Sequence, residues 1–193
     1  MPDVSFLHWP FFEDRHRTFA EGLETWAKEH LSHAPGSMPP HGESVADNDA
    51  ACRRLVRALG DGGWLRVTAP DPDAAEDDPA ARLDVRTLCL AREILGRHDG
   101  LADFAFAMQG LGMGAVSLFG TAPQRAMLRR TRSGDAIAAF ALSEPRSGSD
   151  VANLETRATR DGEGWVLEGD KTWISNGGIA DLYVVFARTS DEG

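Results

Sequence analysis

Phe140-Ala-Leu-Ser-Glu-Pro-Arg-Ser-Gly-Ser-Asp150 is where the grammar of this 193-residue chain changes. Before it, apolar residues recur at helical spacings; from Ile137 onward, short β-branched or aromatic runs alternate with turn residues. The stretch itself is an apolar run that breaks into a turn of Ser143, Glu144-Pro145, Gly148, Ser149 and Asp150. Read generically, Glu144 and Asp150 are solvated turn carboxylates. Further on, Gly169-Asp-Lys-Thr-Trp-Ile-Ser-Asn-Gly177 reads as a strand-like segment with a Trp beside small hydroxyl residues, closed by Asn-Gly. Both stretches put backbone N–H groups, short hydroxyls and one flat aromatic at strand ends, where a flat ligand with polar edges can be held.

Working back towards the N-terminus, Phe12, Phe19, Leu23 and Trp26 share one face of a helix that ends near His30. A loop rich in Pro, Gly, Ser and His follows from Ser32 to Val45. Asp47 is the expected N-cap of a second helix carrying Ala51, Cys52, Leu55, Val56 and Leu59, with Gly60 as its stop. Residues Ala69 to Ala81 read as an acidic, proline-bearing loop, and Asp84 as the cap of a third helix through Leu88 and Leu95. The nearly uncharged Leu101–Phe119 segment is apolar on almost every side, as in a helix buried inside a bundle. Thr121-Ala-Pro-Gln then opens a basic helix through Leu128 and Arg132, stopped by Ser133-Gly134.

Beyond it come five strand-like runs: Ile137–Leu142, Thr156–Arg160, Trp165–Glu168, Thr172–Ser175 and Leu182–Ala187. Asp161-Gly162 and Glu168-Gly169-Asp170 are hairpin-type breaks. The expected class is α+β, an N-terminal all-α bundle over residues 1–134 followed by an antiparallel β domain over 135–193. That β domain is expected to be incomplete, because its strands are few for a sheet with both edges protected.

A net charge of −10 argues against a broad nucleic-acid surface, and 42% hydrophobic content suffices for a core without staples. Cys52 and Cys89 lie in helix-like apolar stripes and read as buried free thiols. The N-terminus lacks the basic start and apolar run of a secretory signal, so the expected location is cytoplasmic. No apolar stretch is expected to be long enough to span a bilayer. The histidines are scattered, with His30 and His33 read as a surface pair, so no metal site is expected. Gly110-Leu-Gly-Met-Gly114 follows a helix-like segment instead of a strand, which points to close helix packing and not to a dinucleotide loop.

Phe140–Asp150 is similar to the Thr-Glu-Pro-Xaa-Xaa-Gly-Ser-Asp signature of the acyl-CoA dehydrogenase family. Gly169–Asp181, with Lys171, Trp173, Asn176-Gly177 and Ala180-Asp181, resembles the second middle-domain motif of that family. Order and spacing also fit, with a helical domain before them. Ser143 and Ser175 stand where Thr is common and keep the hydroxyl; Arg146-Ser147 departs from the smaller or acidic residues often found there.

The resemblance implies an FAD-dependent α,β-dehydrogenation of an acyl-CoA thioester. Phe140, Leu142 and Ser143 would meet the pyrimidine side of FAD, and Gly148 and Ser149 its phosphate-bearing arm, with Ser149 also touching the CoA moiety. Trp173 would cover one face of the isoalloxazine with Ile174 beside it, and Ser175 would donate a hydrogen bond at flavin N5. The general base, a Glu in this family, is expected beyond residue 193; Glu144 is held in its turn by the Pro that follows and is a poor candidate. The same resemblance implies an electron-transfer flavoprotein as acceptor and a homo-oligomer at full length. Met108, Gln109 and Leu111 would either line an acyl pocket or belong to the bundle core. Alternatives are a flavin monooxygenase or oxidase on the same scaffold, and a non-catalytic partner subunit.

Overall fold

The computed structural model describes residues 3–31, 44–75 and 77–190. Helix α1 (Asp14–His30) turns Leu23 and Trp26 of the expected face into the core, joined by Ala20 and Ala27, while Phe19 is half-buried and Phe12 lies just before the helix. Its first turn is closed by a capping box between Glu13 and His16. The fully buried His16 ring also meets Asp84 at 2.8 Å. Asp84 in turn accepts from Arg86 N and caps α3 (Val85–His98). Burial alone would raise the Asp84 pKa, but His16 and Arg15 outweigh it and hold the carboxyl down at about 2. One carboxylate therefore fixes the starts of two helices.

Helix α2 (Val45–Asp61) begins one turn earlier than expected. Ser44 is its cap: Ser44 Oγ accepts from Asp47 N at 3.1 Å and donates to the Asp47 carboxylate at 2.6 Å. Asp47 lies in the first turn, where its charge still complements the helix N-terminus. The loop expected just before it, and His33, fall largely outside the described residues. Cys52 is buried, but Cys89 is exposed, on the outer face of α3, which corrects the expectation of two buried thiols. The basic helix expected after Thr121 is two short helices, α5 (Ala122–Arg125) and α6 (Leu128–Arg132). Across the break, Met127 N, Arg129 N and Arg130 N bond to the third residue back, not the fourth, so the chain tightens. Arg129 and Arg132 then reach Asp73 and Asp71 of the acidic loop.

Helix α4 (Gly100–Phe119) is the hub. At 20 residues with mean hydropathy 1.3 over its richest window it does meet the length and composition of a membrane span, contrary to the sequence expectation. Its packing is that of a core helix over much of its length, with Ala102, Ala105, Phe106, Gln109, Gly112 and Met113 buried. The expectation of burial on all sides fails at Leu111, which is exposed, and at the C-terminal end, where Leu118 and Phe119 are exposed at 69% and 84%.

The sheet elements are β1 (Ala138–Ala141), β2 (Arg157–Asp161), β3 (Gly164–Glu168) and β4 (Leu182–Val185). β2 and β3 form the expected antiparallel hairpin, with Gly162 at φ 57 in its turn. β1 and β4 instead pair in parallel, Ala138 opposite Leu182 through Ala141 opposite Val185. The chain between them makes an excursion through a turn, the hairpin and residues 169–181, and such a crossover is what parallel pairing requires. Thr172–Ser175, expected as a strand, is turn and coil.

β1 is seated on α4 by two devices. Gln109 Nε2 donates to Thr131 O at 3.2 Å and Ala136 O at 2.7 Å, while its Oε1 accepts from Ala138 N at 2.9 Å. Gln109 is thus core and not pocket wall. Gly112 lets the strand come close, since a Cβ there would lie 2.6 Å from the Ala138 Cβ. Gly112→Ala should therefore destabilise the fold by about 1–3 kcal/mol through overpacking, beyond the gain in helix propensity. Gly114→Ala, with nothing within 4 Å of its Cβ, should instead be neutral or stabilising, as thermal unfolding of the two variants would read.

Candidate functional site

Where β1 and β4 present Ala141, Tyr183 and Val185 on one face, the segment after Gly169 folds over the strand ends. Together they bound an open cavity of about 770 Å³. Lys171, Trp173, Ile174 and Ser175 line its other side. Three of the eight predicted residues, Trp173, Ile174 and Ser175, are thus brought together in one concavity.

Trp173 has the most unusual environment. Its φ is 57, in the left-handed region that a bulky side chain rarely adopts, and the residue is 91% exposed. The strain is enforced on both sides. Thr172 N donates to Ser143 O at 3.0 Å, and Gly177 N donates to Ile174 O at 2.9 Å. Asn176, at φ 62, donates its Nδ2 to Ala138 O at 3.1 Å and accepts from Cys52 Sγ at 3.6 Å. Burial pushes that thiol up to about 11, so it stays a neutral donor. Tyr183 closes the rim, its hydroxyl donating to Gly177 O at 2.6 Å.

The two turns Glu144–Asp150 and Gly169–Gly177 are joined by an ion pair that the sequence reading missed. Glu144 is buried, not solvated. Its carboxylate accepts from Lys171 Nζ at 2.8 Å, from Thr156 N at 2.9 Å and from Glu155 N. Lys171 also donates to Leu142 O at 2.9 Å. Burial would raise the Glu144 pKa, but Lys171 and the two backbone donors outweigh it and hold the carboxyl at about 2. The available signal was Lys171 itself, the one cation between Gly169 and Asp181.

The other predicted residues lie around this pair. Phe140 sits on the opposite strand face from Ala141, its ring tilted against Phe186 at 4.9 Å. The carbonyls of Leu142 and Ser143 are taken by Lys171 and Thr172. Gly148 and Ser149 are exposed on the turn, and a Cβ at Gly148 would meet nothing within 4 Å. Phe140, Leu142, Ser143, Gly148 and Ser149 are not among the residues lining the cavity. Among the described residues, no carboxylate lines it either.

The profile described as "Acyl-CoA dehydrogenase, middle domain" matches residues 139–193. The mouse very long-chain specific acyl-CoA dehydrogenase is 48% identical over 101 residues, covering 50% of this chain and 15% of that protein. Benzylmalonyl-CoA dehydrogenase of Aromatoleum aromaticum is 33% identical over 157 residues, covering 80% of this chain and 40% of that protein. A glutaryl-CoA dehydrogenase from Mycobacterium smegmatis, solved in complex with FADH2, superposes with a TM-score of 0.73 at 28% identity. That match covers 93% of this chain and 44% of the solved one, so this chain spans less than half the length of these relatives.

Lys171→Met should cost roughly 3–5 kcal/mol, because it leaves the Glu144 charge buried with only backbone donors. The pH dependence follows from the depressed pKa. The Glu144 contribution is whole above about pH 4.5 and is lost as pH falls towards about 2. In Glu144→Gln, denaturant midpoints measured across that window should lose this part of the acid slope while being lower at neutral pH.

Proposed function

The chain belongs to the acyl-CoA dehydrogenase family, and from that premise we propose that it forms the flavin-facing wall of an FAD-dependent acyl-CoA dehydrogenase site. The observation that carries this reading is Trp173, a strained and 91% exposed aromatic on the rim of a cavity of about 770 Å³. Backbone strain of this kind costs about 1–3 kcal/mol, persists only where the surrounding structure over-determines it, and clusters at ligand sites. A flat ring system laid on the indole would bury it, and the cavity falls within the usual range for small-molecule sites. The residues present therefore fit a flavin.

When bound, FAD would supply the hydride acceptor for α,β-dehydrogenation of an acyl-CoA thioester. Trp173 and Ile174 would cover one face of the flavin ring. Ser175 would offer its hydroxyl as the donor at N5, and Ser143 its hydroxyl at the pyrimidine edge, with Phe140 and Leu142 contributing backbone there. Gly148 and Ser149, on the exposed turn, would run along the phosphate arm, where the absence of a Cβ at Gly148 admits close approach. Ser149 would also touch the thioester's carrier. The Glu144–Lys171 pair keeps these two groups of residues in register.

The α-proton requires a carboxylate base, and Glu144 is unsuited to it: its charge is held by Lys171 and two backbone N–H groups. In this reading the base comes from a segment other than the described residues, and an electron-transfer flavoprotein takes up the electrons.

Titrating the 193-residue chain with FAD should quench flavin fluorescence, and Trp173→Ala should weaken binding by about tenfold. Acyl-CoA turnover by the same preparation should be undetectable. Absence of FAD binding, or equal binding by the variant, would overturn the assignment of the wall; turnover would overturn the placement of the base.

A further inference from the structure

Arg146 is the departure from the family signature that the flavin wall does not use. It stands at the tip of the Glu144–Asp150 turn with its side chain 80% exposed. Its carboxylate neighbour, Glu155, is 3.6 Å away and itself 61% exposed, a contact of little energetic weight. The turn beneath it is rigid. Glu144 N donates to Ser147 O at 2.9 Å, Ser147 N donates back to Glu144 O at 3.2 Å, and Ser147 Oγ donates to Asp150 O at 2.6 Å. The guanidinium is therefore carried on a fixed base.

Beside it lies a polar cavity of about 400 Å³ lined by Arg146, Asn153, Leu154, Glu155 and Arg188. Arg188 is pinned as its inner wall, donating to Leu154 O at 2.9 Å and Ala152 O at 2.5 Å, while its own backbone bonds Thr156 and Ala158. Two guanidiniums face one carboxylate here, a local reversal of sign in a chain of net charge −10. Planar guanidiniums are matched to phosphoryl oxygens, which they bind through paired N–H groups. Ser149 stands three residues further along the same turn.

We infer that Arg146, backed by Arg188, forms a phosphate subsite that receives a phosphoryl group of a nucleotide-bearing ligand. The inference rests on the flavin-wall reading for the identity of that ligand, which is either CoA, through its phosphates, or FAD, through its pyrophosphate. Arg146 then anchors a remote part of the ligand, so that its binding energy helps to position the reacting end.

The test is calorimetric titration of the wild-type chain, Arg146→Ala and Arg146→Lys with CoA, with FAD and with inorganic pyrophosphate, thermal melting serving as a control for folding. Arg146→Ala should weaken one nucleotide ligand by about tenfold with an unchanged melting temperature, and Arg146→Lys should fall between, having the charge without the fork. Loss confined to CoA identifies the carrier's phosphates as the group bound; loss confined to FAD identifies the cofactor's. Pyrophosphate binding that needs Arg146, with no binding of CoA or FAD, would keep the subsite and remove the flavin-wall reading. CoA and FAD binding unchanged by Arg146→Ala would overturn the subsite and leave that reading standing. No binding of any probe to the wild type would overturn both.

Discussion

The Glu144–Lys171 pair ties together two turns that are otherwise separate in sequence, and the geometry of the cavity depends on it. Lys171 reaches across to Glu144 and to the Leu142 carbonyl, while Glu144 gathers the N–H groups of Glu155 and Thr156 at the entry to the hairpin. One buried carboxylate thereby joins the end of β1, the start of β2 and the segment carrying Trp173. Desolvating two charges is expensive, and it is repaid here because every partner is a hydrogen-bond donor aimed at the carboxylate. The arrangement also removes Glu144 from acid–base chemistry: a carboxyl held at about 2 by three donors is a poor proton acceptor near neutrality.

Support for the pair comes from the helical layer. Gln109 on α4 satisfies backbone groups at Thr131, Ala136 and Ala138 where the chain leaves the helices and becomes strand. Gly112 brings β1 against the helix, and Asn176 hangs the far segment on Ala138 O and on Cys52 of α2. Asp181 completes the frame by accepting from Ile137 N at 2.9 Å. The strained backbone at Trp173 is thus fixed between anchors on two sides. That over-determination is what allows a bulky residue to remain at positive φ with its ring in solvent.

Part of the exposed apolar surface lies at the edges of this frame. Trp165, Val166 and Leu167 of β3 are each about half exposed, and Leu118 and Phe119 project from the end of α4. Apolar groups left open on an edge strand and a helix end favour association with further structure.

Helix positions on α1 and α3, the Asp84 cap, the hairpin at Gly162 and the α+β class were all legible in the sequence, because each depends on local periodicity or on a residue with one dominant turn role. The resemblance carried by Phe140–Asp150 and Gly169–Asp181 likewise placed the chain in its family from residue types and spacing. The Ser44 cap is also local, since Ser44 bonds Asp47 three residues on, but Asp47 is an equally good cap by residue type. Tertiary structure decided the rest. The parallel pairing of β1 with β4 and the turn at Trp173 in place of a strand arise from contacts between distant residues. So does the burial of Glu144: a Glu-Pro turn read by itself is solvated, and only a cation 27 residues away converts it into the centre of the site. Local patterns record what a segment prefers, whereas buried charge and strained backbone are tolerated only when long-range partners compensate them, and those partners exist only in the folded chain.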